Sequence, residues 1–159
     1  MFQGLTFEPF QLPSEAEKLR MEVREFLTSA LDPEVLPNSD FNAGDSAEFS
    51  KSLGTKGWIG MTWPREYGGA ERSFLERYVV TEELLAAGAP VGRHWIADRQ
   101  TGPLFLKFGT DEQRQKFLPR IVSGECYFSI GMSEPDTGSD LASIRTTATK
   151  TEGGWLVNG

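Results

Sequence analysis

The chain has 159 residues, 38% of them apolar and 25% charged, which is the composition of a packed domain rather than of a disordered chain. Its net charge of -7 comes without any run of Lys or Arg, so it lacks the electrostatic footprint of a nucleic-acid binder. There is no apolar run of membrane-spanning length, and a single cysteine and a single histidine exclude a disulfide framework and a multi-histidine metal site within one chain. The opening residues MFQGLTFEPF lack the basic start of a secretion signal and the Arg-rich look of a transit peptide, so the expected location is cytoplasmic.

Ser14-Glu-Ala-Glu17 reads as a capping box, and Leu19, Val23, Phe26, Leu27 and Leu31 follow at helical spacing, predicting a one-faced helix that stops before Pro33. A short helix is expected around Ala47 to Leu53, with Gly54 and Gly57 as stop signals. The stretch Gly57 to Gly69, with Trp58, Trp63 and Pro64, reads as a compact turn-rich connection whose tryptophans pack under helices. Ser73 and Glu76 form a second box, opening a helix through Leu75, Tyr78, Val79, Leu85 and Ala86 up to Gly88. A helix over Gly92 to Phe108 should be kinked or split at Gly102-Pro103. A third box, Thr110 with Gln113, starts a helix that Gly124 ends.

Beyond Gly124 the period changes. Cys126, Phe128, Ile130 and Met132 alternate with Tyr127, Ser129 and Gly131, the pattern of a half-buried strand, with Cys126 read as a small buried hydrophobe. Ile144 to Thr149 and Trp155 to Val157 flank Glu152-Gly153-Gly154 as the arms of a hairpin. Two or three strands do not make a stable sheet domain by themselves, so the expected fold is α+β: a helical domain over 1-124, then the truncated start of an antiparallel β domain over 125-159.

Between the first predicted strand and the hairpin runs Gly131-Met-Ser-Glu-Pro-Asp-Thr-Gly-Ser-Asp140. A strand end turning through Pro and Gly leaves backbone N–H groups that can face an anion or the carbonyl edge of a flat heterocycle. Gly138 permits close approach, Ser139 adds a hydroxyl, and Asp140 is the residue that would hold the turn. Taken alone, such a turn is more often an ordinary hairpin connection.

This segment resembles the signature of the acyl-CoA dehydrogenase family at each of its fixed positions except Thr137, where the family has Gly, Ala, Ser or Asn. Gly57-Trp58, Trp63-Pro64, Tyr67-Gly68-Gly69, Thr81 to Leu84, Gly109-Thr110, Phe117-Leu118-Pro119, Gly154-Trp155 and Asn158-Gly159 extend the resemblance over nearly the whole chain. It implies FAD as cofactor, with Ile130, Met132, Ser133, Gly138 and Ser139 contacting the isoalloxazine and pyrophosphate and Ser139 also reaching the thioester side of the substrate. It implies an acyl-CoA substrate, conversion to trans-2-enoyl-CoA, electron-transfer flavoprotein or a similar acceptor, a homo- or hetero-tetramer, and a further four-helix bundle in the full-length protein. The catalytic base is then a glutamate on that bundle, so this chain contributes no catalytic residue; Glu134, the tempting carboxylate, belongs to the loop. Oxidase, monooxygenase and non-catalytic partner-subunit readings share the same residues.

The resemblance also places the helix around Val91 to Phe108 along the acyl group. His94, Trp95, Asp98, Arg99 and Gln100 are polar or bulky where a fatty-acyl tunnel would be smooth. Either Trp95 and Arg99 meet a bulky or oxygenated acyl group, such as a steroid side chain, or this face meets solvent or a neighbouring subunit. Arg145 is either an attractor of CoA phosphates or a solvated strand-face residue.

Overall fold

The computed structural model describes residues 11–32 and 44–159; the chain's first ten residues and the Pro33 stop signal lie outside them. Two compact units divide the chain, Met1–Phe128 and Ser129–Gly159.

The first unit is helical: α1 (Ser14–Ala30), α2 (Ala47–Thr55), α3 (Phe74–Ala86), α4 (Gly92–Ile96), α5 (Gly102–Phe108) and α6 (Asp111–Val122). Ala16, Leu19, Val23 and Leu27 bury one face of α1. It packs along α3, whose Glu83 is only 6% exposed. Burying a carboxylate is costly unless it is paired, and here Arg20 and Arg24 both reach it at 2.7 Å. Their hydrogen bonds, the Arg24 one foremost, hold the Glu83 carboxyl below the usual carboxylate range.

Two of the three expected capping boxes close on both sides, Ser73 with Glu76 and Thr110 with Gln113. The first does not. Ser14 is already inside α1, because the carbonyl of Pro13 accepts from the amides of Ala16 and Glu17 at 2.9 and 3.1 Å; the fixed φ of proline suits that position and starts the helix one residue early. Glu17 instead pairs with Arg20 at 3.5 Å.

At Gly102-Pro103 the helix is neither split nor simply kinked. A single π turn, Ala97–Thr101, joins α4 to α5, and the amide of Gly102 reaches back to the carbonyl of Ala97. Proline has no N–H to continue the ordinary ladder, and one widened turn absorbs the mismatch.

Gly54 is not the stop signal expected of it; it lies within α2. A side chain there would meet the backbone of Val122 and Ser123 at 2.6–2.7 Å, so Gly54 lets α2 touch the end of α6 directly. Trp58, Ile59, Met61 and Trp63 of the connection are buried in the same core, as the sequence leads one to expect. Phe105 stacks on Phe117 at 5.1 Å, and Phe128 sits edge-on to both at 5.8 Å.

The second unit carries one hairpin, β1 (Thr147–Thr151) antiparallel to β2 (Gly154–Asn158), with Thr147 opposite Asn158 and Thr151 opposite Gly154. The strand expected over Cys126 to Met132 does not form a ladder among the described residues. Its alternation survives only at Cys126 and Phe128, which pack on the helical core, whereas Ile130 and Met132 are 43% and 59% exposed. A period-two pattern buries one face, but only a neighbouring strand turns an extended segment into a sheet.

Candidate functional site

The loop leading into the hairpin is closed at its base by two reciprocal backbone bonds, Glu134 N–H to the Thr137 carbonyl at 2.9 Å and Thr137 N–H to the Glu134 carbonyl at 3.1 Å. The Glu134 carboxylate then reaches across the loop and accepts from the amides of Arg145 and Thr146, at 2.9 and 2.8 Å, and from the Thr146 hydroxyl at 2.5 Å. That explains why β1 starts at Thr147 rather than at Ile144: the two preceding amides are spent on Glu134. The Thr146 hydroxyl first, then the two amides, keep the Glu134 carboxyl below the usual range. A carboxylate with three donors, held in its ionised form, is a structural latch rather than a base poised to take a proton.

Thr137, the residue departing from the family pattern, is buried, and among the described residues its hydroxyl has no hydrogen-bond partner. Asp140 holds the following turn, accepting from the Ser143 hydroxyl. Ser133, Gly138 and Ser139 stay exposed. Among the described residues the backbone amides of Met132, Ser133, Gly138 and Ser139 and the hydroxyls of Ser133 and Ser139 have no hydrogen-bond partner. A side chain built at Gly138 would meet nothing within 4 Å. The loop therefore presents a row of unspent donors beside open space, with the apolar side chains of Ile130 and Met132 exposed just before it. Arg145 points to solvent, 3.5 Å from Asp136.

The other predicted site residues lie on the first unit. Trp95 and Arg99 are brought together, the guanidinium stacking over the indole at 4.4 Å, and Arg99 also donates to the Thr81 hydroxyl. His94 and Asp98 are buried and face neither solvent nor an open pocket. His94 Nδ1 is 2.9 Å from the Ser50 hydroxyl, and Asp98 accepts from the Gly60 amide at 2.8 Å. Arg77 and Thr81, one helical turn apart on α3, complete this cluster; their i, i+4 spacing is the sequence signal that puts them on one face of the helix. Among the described residues no helix is long and apolar enough to cross a membrane, and no three His, Cys, Asp or Glu side chains gather as for a metal.

Burial pushes the His94 pKa down to about 4, against a partial pull upward from Asp98. The unfolded chain takes up this proton near pH 6.5 and the folded chain only near 4, so the unfolded state gains protons first as pH drops. The stabilisation is full above about pH 6.5 and is lost toward pH 4, by roughly 3 kcal/mol. The thermal midpoint is expected to fall over that window, and His94→Gln to flatten the fall; an identical acid limb in the variant would show that another group is responsible.

The family profile for the acyl-CoA dehydrogenase N-terminal domain matches residues 13–125. The chain belongs to the acyl-CoA dehydrogenase family. Acyl-CoA dehydrogenase FadE26 of Mycobacterium tuberculosis is 38% identical over 151 residues, covering 91% of this chain and 37% of that protein. The crystal structure of the ChsE4-ChsE5 complex from Mycobacterium tuberculosis superposes with a TM-score of 0.83 at 37% identity, over 96% of this chain and 39% of the other. A structure described as the Tcur3481-Tcur3483 steroid ACAD gives a TM-score of 0.83 at 36% identity, over 94% and 39%. The chain thus spans less than two-fifths of the length of these relatives.

Proposed function

We propose that this chain supplies the helical wall and the cofactor loop of an FAD-dependent enzyme that dehydrogenates an acyl-CoA thioester to trans-2-enoyl-CoA. The observation carrying this reading is the latched loop, whose unspent amides and hydroxyls border the open face of Gly138.

Those donors suit the group. Gly138 and Ser139 would hold pyrophosphate oxygens, the amides of Met132 and Ser133 the polar edge of the isoalloxazine, and exposed Ile130 and Met132 would cover its apolar face. Flavin, when bound, supplies the hydride acceptor for the substrate β carbon. The protein's part here is positioning: Ser139 also lies on the thioester side, and the α proton is taken by a base outside this chain.

On the first unit, Trp95 and Arg99 form the aromatic and polar part of the wall along the acyl group. The description of one structural relative as a steroid ACAD supports a bulky polycyclic acyl group, and the paired names of both structural relatives support a hetero-oligomer. Electron-transfer flavoprotein or a similar carrier is the proposed acceptor, and the cytoplasm the proposed location. The test is anaerobic: the purified native enzyme containing this chain should carry a flavin spectrum that bleaches on adding a steroid-side-chain acyl-CoA. A preparation that stays colourless after reconstitution with FAD would sink the reading.

Glu134→Gln separates latch from base. With the latch role, the variant keeps substantial turnover once folded, and the effect falls on flavin retention. The depressed carboxyl of Glu134 adds a pH signature: its contribution is present above the ordinary carboxylate pKa and is lost as pH falls through the lower folded value. Flavin should therefore be released in acid by the parent protein, with that dependence blunted in the variant. A drop in kcat of roughly 10²–10⁴-fold with flavin still bound, the usual loss for a general base, would make Glu134 the base instead.

A further inference from the structure

We propose that the pocket between α3 and the π turn, lined by Phe74, Arg77, Tyr78, Thr81 and Arg99, binds a carboxylate carried on an apolar body.

The argument begins with an imbalance of charge. Two guanidinium groups share one carboxylate, Asp98, whose Oδ2 lies 3.5 Å from Arg77 and 3.6 Å from Arg99. Both distances exceed those of a charge-assisted hydrogen bond, which run about 2.7–2.9 Å. The other oxygen of Asp98 is already taken by the Gly60 amide at 2.8 Å. The cluster is left with an excess positive charge and with donors unspent: Arg99 Nε is buried and has no hydrogen-bond partner.

The two arginines also oppose each other. Burial first, and then the neighbouring Arg77 charge, push the Arg99 pKa below its ordinary value. Like charges held together in a half-buried place are unfavourable unless an anion joins them. A planar carboxylate is suited to this, because a guanidinium presents its N–H groups as a fork that fits two oxygens at once.

The surroundings fix the geometry. The Thr81 hydroxyl donates to the Arg77 carbonyl at 2.7 Å and accepts from Arg99, while the Trp95 ring supports the Arg99 guanidinium from one face. The side chain is thus held before any ligand arrives, which lowers the ordering cost of binding. Glu82, the acidic partner of Tyr78, is engaged by the Tyr78 hydroxyl at 2.6 Å and by Arg20 at 2.9 Å, so it does not cancel the excess charge.

The pocket encloses about 230 Å³, and its mouth is aromatic: Phe74 is 76% and Tyr78 53% exposed. The cationic floor selects the carboxylate, and the rings select an apolar body next to it.

The test uses benzoate and its uncharged isostere benzamide, titrated calorimetrically into the intact protein at low and at high NaCl. Benzoate is expected to saturate one site per chain and to weaken as salt rises, while benzamide gives no saturable heat. Arg99→Gln and Arg77→Gln should each weaken benzoate at least tenfold, and Arg120→Gln, on α6, should leave it unchanged. The comparison of the two ligands on the unsubstituted protein holds even if an arginine variant folds poorly. Equal binding of both ligands, no benzoate binding at roughly 1 mM, or full affinity in a folded Arg99→Gln protein would overturn the proposal. None of these readouts involves flavin or acyl-CoA, so their failure leaves the dehydrogenase reading standing.

Discussion

Replacing Gly138 with Val in the native enzyme is expected to strip it of flavin while leaving the fold untouched. The two halves of this expectation rest on separate observations. Gly138 does not use the left-handed φ that several other glycines of the chain adopt, and a side chain there meets no protein atom within 4 Å. The apoprotein therefore has no steric reason to resist the substitution, and its helical circular dichroism and thermal midpoint should stay close to those of the parent. The open space beside Gly138 is the space the cofactor needs. The added isopropyl group would stand between the unspent amides and any pyrophosphate, and flavin affinity should fall at least tenfold, which corresponds to about 1.4 kcal/mol or more. Visible absorbance per chain, measured after gel filtration, reads this directly. Parental flavin content in Gly138→Val would remove the cofactor from this loop.

Gly124→Ala should do the reverse, collapsing stability through a change of one methyl group. Gly124 holds φ at +72°, a conformation costing an L-residue roughly 1–2 kcal/mol. The new methyl would also come within 2.6 Å of the Ser50 carbonyl carbon and 2.9 Å of the Lys51 amide. Both are α2 backbone, which has no rotamer to move away into. Forced overpacking of this kind adds about 1–3 kcal/mol, so the total loss is about 2–5 kcal/mol, a large part of the 5–15 kcal/mol that holds a typical domain together. Urea unfolding followed by tryptophan fluorescence would measure it, since Trp58 and Trp63 are in the core. A shift below about 0.5 kcal/mol would mean that α2 and the end of α6 are not in the contact described.

These two glycines show where reading the sequence succeeds and where it stops. Both read as turn residues, and both are. The sequence carries no sign that one is open to solvent and the other wedged against a neighbouring helix, because that depends on backbone contributed from more than seventy residues away. For the same reason Gly54 has the look of a stop signal in the sequence and is a helix contact in the fold.

What the sequence by itself determined is what neighbouring side chains can settle among themselves. The boxes at Ser73 and Thr110 close between residues three apart, the amphipathic face of α1 follows from spacing alone, and the hairpin turn at Glu152-Gly153 sits between two short β-forming runs. The resemblance in the 131–140 segment gave the family, and the match over residues 13–125 shows it. Only the tertiary structure decided the rest. It turned Glu134 into a latch on residues eleven and twelve positions away, left Cys126 to Met132 without a ladder, and set Arg77 of one helix beside Arg99 of another over a single shared carboxylate. The physical reason is common to all three: hydrogen bonds and charge pairs form wherever folding brings donors and acceptors together, and spacing along the chain specifies that meeting only within about one turn of helix.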